Sequence, residues 1–225
     1  MADTDGTEAD DTGIDGTEAD DTVLIPGGRD VRGTLDRAES EDGASEIVVA
    51  CPPHPQFGGT RRDSRLVAVS EALAERGIDC LRIDYGEWDE GYGESTDADN
   101  AIGWALERYG RVGLFGFSFG GTIALVSAAA RPCLVAVSAL APAARVNADV
   151  DAVAATGKIE SPIQVVSGTR DSVADWKPVV ERAQKRAEAG HDVDLAEFSA
   201  DHLFVGQYDR VAQRVGEFMA ARMGR

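Results

Sequence analysis

A serine with a glycine two positions to either side, Gly116-Phe117-Ser118-Phe119-Gly120, stands between an apolar strand-like run, "RVGLFGF" (111–117), and an apolar helix-like run (119–130). Glycines at those positions leave room for a sharp strand-to-helix turn that exposes the serine Oγ at a helix N-terminus, where free N–H groups favour developing negative charge. Ser118 is therefore a candidate nucleophile. The strand before it and the helix after it separate this occurrence from the same pattern in an ordinary tight turn. A serine hydroxyl attacks an acyl carbon only when a base takes its proton, and the base needs a carboxylate to fix its tautomer.

Three histidines are available. His191 precedes the strand-like run 192–198, His202 follows it, and His54 follows the run "EIVVAC" (46–51). In a parallel sheet, functional loops gather at the carboxyl ends of the strands, which selects His202 as the base and leaves His54 to a second loop on the same edge. Among the acids, Asp171 lies three residues past Gly168 in the turn leaving "PIQVVSG" (162–168), Asp175 falls inside the next helix, and Asp201 adjoins the histidine. Asp171 is the expected partner, its competing role being an N-cap for the helix that follows. Ser118, Asp171 and His202 each come after a separate strand. Stabilising the oxyanion takes two N–H donors. One is expected from Phe119, directly after the nucleophile; the other from "PPHPQFGG" (52–59), where Pro52, Pro53 and Pro55 have no N–H and Gln56 is the first candidate past His54. His54, Phe57, Trp88, Tyr92 and Phe117 are expected to wall the pocket.

The elements that must position these residues alternate along the chain. Strands are predicted over 22–26, 31–38, 46–51, 78–84, 111–117, 133–140, 162–168 and 192–198, the first two joined by a hairpin at "GGRD". Helices are predicted over 63–76, 97–109, 119–130, 174–189 and 205–222, with a short helical connection after 140. This alternation implies an α/β fold, a mostly parallel twisted sheet of about eight strands with helices on both faces. Only about twenty residues separate Leu140 from Ser161, too few for a large cap domain, so the pocket is expected to be shallow and open. It would fit a small acyl ester or a short peptide-like amide better than a long-chain lipid.

The chain has 225 residues and a net charge of −18, and all but three of its 22 basic residues are arginine. Such a surface repels nucleic acid and anionic lipid. The acid-rich, lysine-poor profile resembles that of proteins from salt-accumulating halophiles, in which concentrated salt screens the repulsion between carboxylates. Residues 1–22 hold nine acids and no base, and "DGTEADDT" at 5–12 recurs at 15–22; this segment reads as a disordered acidic tail ahead of a single domain over 23–225. The acids between Glu87 and Asp99 read as solvated surface, with Ser95 or Thr96 capping the helix at 97, and Arg61 and Arg62 as surface residues. Cys51, Cys80 and Cys133 read as reduced, buried and apolar, and with no membrane-length apolar run and an acidic start the chain is expected to be soluble and cytoplasmic.

The elbow, the "PHPQFGG" loop and the "DH" at 201–202 together resemble the α/β-hydrolase superfamily, specifically its small dienelactone-hydrolase-like and esterase-like members, over about residues 23–223. The resemblance implies a Ser-Asp-His acyl hydrolase acting on a small-molecule ester or acyl substrate, with no metal or organic cofactor. Two features depart from it. Dienelactone hydrolases proper carry cysteine at the elbow, so Ser118 argues against that specific activity, and "YGEWDEGYGESTDAD" (85–99) stands where many relatives have R-G-x-G-x-S. Two alternatives stay open: a non-catalytic binding protein on the same fold, and a cofactor-free acyltransferase or perhydrolase.

Overall fold

The computed structural model describes residues 22–39 and 43–224. The acidic tail expected over 1–22 lies outside the described residues apart from Thr22, which opens the first strand. Eight strands form one sheet: β1 (Thr22–Ile25), β2 (Val31–Asp36), β3 (Glu46–Cys51), β4 (Asp79–Asp84), β5 (Arg111–Phe117), β6 (Val137–Leu140), β7 (Ile163–Gly168) and β8 (Val193–Phe198). Their order across the sheet is β1-β2-β4-β3-β5-β6-β7-β8. The β1–β2 and β2–β4 pairs are antiparallel, and every pair from β4 to β8 is parallel.

The helices are α1 (Ser64–Ala74), α2 (Tyr92–Leu106), α3 (Phe119–Ala130), α4 (Ala152–Thr156), α5 (Lys177–Glu188) and α6 (Tyr208–Arg222). Because successive side chains of a strand point to opposite faces, Ile47, Val49 and Cys51 of β3 pack under α2 to α5, while Val48 and Ala50 pack under α1 and α6. Both faces are dry, and each fully buried Ile or Leu contributes about 1.5–3 kcal/mol of transfer free energy. Strand order reverses at β3, with α1 leaving toward one face and α2 toward the other. A crevice therefore opens at the carboxyl ends of β3 and β5. The segment between β6 and β7 carries only the five-residue α4 and builds no cap.

Four expectations are corrected. β6 begins at Val137 rather than 133, and Cys133 is exposed, whereas Cys51 and Cys80 are buried and burial pushes their thiols up to about 12. α2 begins at Tyr92 instead of 97, because Glu94 reaches back to accept from the N–H groups of Gly91 at 2.8 Å and Asp89 at 3.0 Å. Glu94 and Asp97 are consequently not solvated surface: both are fully buried. Asp97 accepts from Arg29 Nε at 2.7 Å and from the Gly86 N–H at 2.9 Å, which anchors the loop between β4 and α2.

Candidate active site

Ser118 joins β5 to α3 with φ 56° and ψ −119°, a left-handed conformation that costs a non-glycine residue on the order of 1–3 kcal/mol. The surroundings enforce it. The Ser118 N–H donates to Leu140 O of the neighbouring strand at 2.8 Å, and its own carbonyl accepts from Thr122 N–H at 3.1 Å. A methyl group at Gly116 would overlap Gly120 O, and one at Gly120 would overlap the carbonyl oxygens of Cys51 and Pro52. The glycines thus let the turn close and let the loop after β3 lie directly against the start of α3.

Ser118 Oγ is 2.9 Å from His202 Nε2, and His202 Nδ1 is 2.7 Å from Asp171 Oδ2. The three residues expected from the sequence therefore form one continuous hydrogen-bonded chain. Asp171 has a fully buried side chain whose other oxygen accepts from the N–H groups of Val173 at 2.8 Å and Ala174 at 3.1 Å. The N-cap reading is corrected: α5 starts at Lys177 rather than 174 and has Trp176 as its N-cap, and the bonds from Val173 and Ala174 to the second Asp171 oxygen close a turn ahead of that helix. A carboxylate that accepts at Nδ1 fixes the proton there and leaves the Nε2 lone pair facing the serine hydroxyl. The His202 ring lies over Phe117 with centroids 5.3 Å apart. Asp201 instead accepts from the Leu203 N–H at 3.1 Å, and His191 stands exposed just before β8, at the opposite edge of the sheet.

Across the cavity, the loop after β3 forms a short 3-10 turn at Pro55–Phe57. The Gln56 N–H, expected to face the substrate, is instead donated to His54 Nδ1 at 3.3 Å. Phe57 and Gly59 donate to His54 O at 3.0 and 3.1 Å. The His54 N–H makes no hydrogen bond among the described residues. The His54 ring sits among Trp88, Phe57 and Phe119, at centroid distances of 4.5, 4.7 and 4.9 Å. Burial there lowers its pKa below the ordinary imidazole value, against an opposing pull from the charge of Glu94.

A cavity of about 400 Å³ lies between these two loops and contains Ser118 and His202. Of the expected walls, His54, Phe57 and Phe117 line it; Trp88 lies behind His54; and Tyr92 is turned away, its hydroxyl donating to Asp149 at 2.9 Å. Val173, Leu203, Asp63 and Arg65 also line it and were not anticipated. Asp63 was legible as the N-cap of α1, which it is, accepting from the Arg65 N–H at 2.9 Å. Arg61 is paired to Asp84 and partly buried rather than a free surface cation. A larger groove of about 740 Å³, between the segment 144–154 and α5, holds none of Ser118, Asp171 and His202. Among the described residues, no group of three or more His, Cys, Asp or Glu is arranged to hold a metal ion, and no helix is long and apolar enough to cross a membrane.

A mostly parallel eight-stranded sheet, wrapped by helices and bearing a serine elbow after β5, defines the α/β-hydrolase fold. The chain belongs to the dienelactone hydrolase family, whose model matches residues 94–221, and it is accordingly a hydrolase. That span includes Ser118, Asp171 and His202 but not the loop 52–59. The fold is similar to that of Est1E from Butyrivibrio proteoclasticus, at 17% identity and TM-score 0.78 over 91% of this chain and 99% of that one. It is also similar to an α/β serine hydrolase without lid from Xanthomonas campestris, at 20% identity and TM-score 0.74 over 90% and 94%. A dienelactone hydrolase from Anabaena variabilis matches at 26% identity and TM-score 0.70 over 88% and 95%. No match was found among curated proteins.

Proposed function

We propose that the chain is a serine hydrolase that cleaves a small carboxylic ester through Ser118, His202 and Asp171 by way of an acyl-enzyme. The observation that carries this reading is the unbroken Ser118–His202–Asp171 chain on a strained elbow at a helix N-terminus. Ser118 Oγ attacks the carbonyl carbon as His202 Nε2 takes its proton, and Asp171 stabilises the imidazolium. The N–H groups of Phe119 and His54 hold the oxyanion; His54 takes the place expected for Gln56 because its N–H is the one left without an internal partner. The intermediate collapses as His202 protonates the departing alcohol. Water then attacks the acyl-Ser118 ester, giving its proton to His202, and the acid leaves as Ser118 recovers the proton.

The test is labelling by a fluorophosphonate together with hydrolysis of p-nitrophenyl butyrate. Wild type is expected to be labelled and active, and Ser118→Ala to lose both. Labelling that persists in Ser118→Ala overturns the proposal by placing the nucleophile elsewhere, and a folded wild type inert to the probe overturns it in favour of a non-catalytic binding role.

A further inference from the structure

The charged groups that line the cavity beside Ser118 are satisfied by each other. Arg65 donates from Nε to Asp63 Oδ1 at 2.8 Å and from its second guanidinium arm to Asp63 Oδ2, while the remaining arm reaches Leu203 O at 3.3 Å. The guanidinium also lies over the Phe117 ring, 4.4 Å from its centroid. The two side chains are 12% and 9% exposed. A planar cation held by a bidentate carboxylate, a carbonyl and a ring face cannot turn to a second carboxylate without abandoning the first. The mouth of the same cavity is apolar: Phe57, Val173 and Leu203 are 86%, 75% and 47% exposed, in a chain whose net charge is −18. Large apolar side chains left in water around a concave site mark where an apolar ligand lies.

Resting on the serine hydrolase reading, we propose that the site takes uncharged esters whose apolar acyl group lies on Phe57, Val173 and Leu203, and that the Asp63–Arg65 pair is the specificity element that rejects acyl groups bearing a carboxylate. An incoming carboxylate loses its hydration and meets a cation already neutralised.

The experiment compares kcat/KM for p-nitrophenyl butyrate and p-nitrophenyl hemisuccinate, which share a leaving group and are similar in length. It is run in molar KCl, where a Debye length of about 3 Å removes long-range repulsion by the acidic surface. Wild type is expected to prefer butyrate by at least about tenfold. Asp63→Asn retains an acceptor for the α1 cap and frees the Arg65 charge, so the preference is expected to narrow by about fivefold or more through faster hemisuccinate hydrolysis. Phe57→Ser, at an exposed position, is expected to lower the butyrate value by about threefold and the hemisuccinate value by less, so that the ratio narrows. Equal values for the two esters in wild type overturn the proposal, as does an unchanged ratio in folded Asp63→Asn; if that variant does not fold, an unchanged ratio in Phe57→Ser does so. Hydrolysis that survives Ser118→Ala overturns the serine hydrolase reading instead. Hydrolysis lost in Ser118→Ala with the esters equal in wild type overturns the specificity proposal alone.

Discussion

Two histidines face each other across the same cavity, and what each Nδ1 touches separates their roles. His202 Nδ1 meets a buried carboxylate, so its Nε2 is aimed at Ser118. His54 Nδ1 accepts a backbone N–H, which places its proton on Nε2 and makes the ring a structural cap, packed among aromatic neighbours. In the proposed reaction His202 exchanges protons, whereas His54 holds the loop on the opposite wall in shape. The residue type alone predicts neither role.

The sharpest way to break this comparison is to remove each ring in turn. His202→Ala is expected to lower kcat for p-nitrophenyl butyrate by about 10⁴-fold, while His54→Asn, which keeps both a side-chain acceptor and the backbone N–H, is expected to lower it by about tenfold. Comparable losses would erase the distinction. Asp171→Asn is expected to lower kcat by about 10³- to 10⁴-fold with little change in melting temperature, since the amide oxygen still accepts from Val173 and Ala174 while its NH₂ confronts Nδ1. A large fall in melting temperature would instead make holding the 171–174 turn its main role.

Gly120→Ala addresses the other wall. The added methyl group must push the Cys51 and Pro52 carbonyls away, so a destabilisation of about 1–3 kcal/mol in urea unfolding is expected, with a fall in kcat as the His54 N–H moves. Unchanged stability would mean the two walls are not in contact there. The smallest effect concerns pH. His54 titrates below its unfolded value of about 6.5, so on acidification the unfolded chain takes up a proton before the folded one does. The stability this group contributes is present above pH 6.5 and is lost as pH falls toward the lowered folded pKa. Melting curves between pH 7 and pH 5 should therefore fall less steeply for His54→Asn than for wild type, and parallel curves would contradict the assignment.

The succession of strands and helices and the serine elbow were legible because both rest on patterns local to a few residues: an apolar run, a glycine, a change of period. Ser118, His202 and Asp171 followed from one topological rule applied to three strand ends. What escaped depends on where backbone N–H groups point. Gln56 was reached by passing over prolines, but the 3-10 turn folds its N–H back onto His54. Glu94 and Asp97 are the same residue types as the solvated acids beside them, and only the donors they meet, N–H groups of the 86–91 loop and Arg29, distinguish them. Val173 and Leu203 meet at the cavity mouth from loops that no sequence period connects. The start of β6 was overextended because "CLVA" (133–136) is as apolar as a strand, yet Cys133 lies in a turn and the regular ladder begins only at Val137.

The hydrogen-bonded chain spans long separations: Ser118 and His202 are 84 positions apart in sequence, and Asp171 and His202 are 31 apart. The loop that supplies His202 follows β8, the last strand in sequence and an edge of the sheet. During synthesis, a chain that has paired β1 to β7 carries a finished elbow with no base beside it. Forms that end before β8 should thus be inert even where β1 to β7 have paired, and in the proposed enzyme turnover becomes a report on the final docking step of folding.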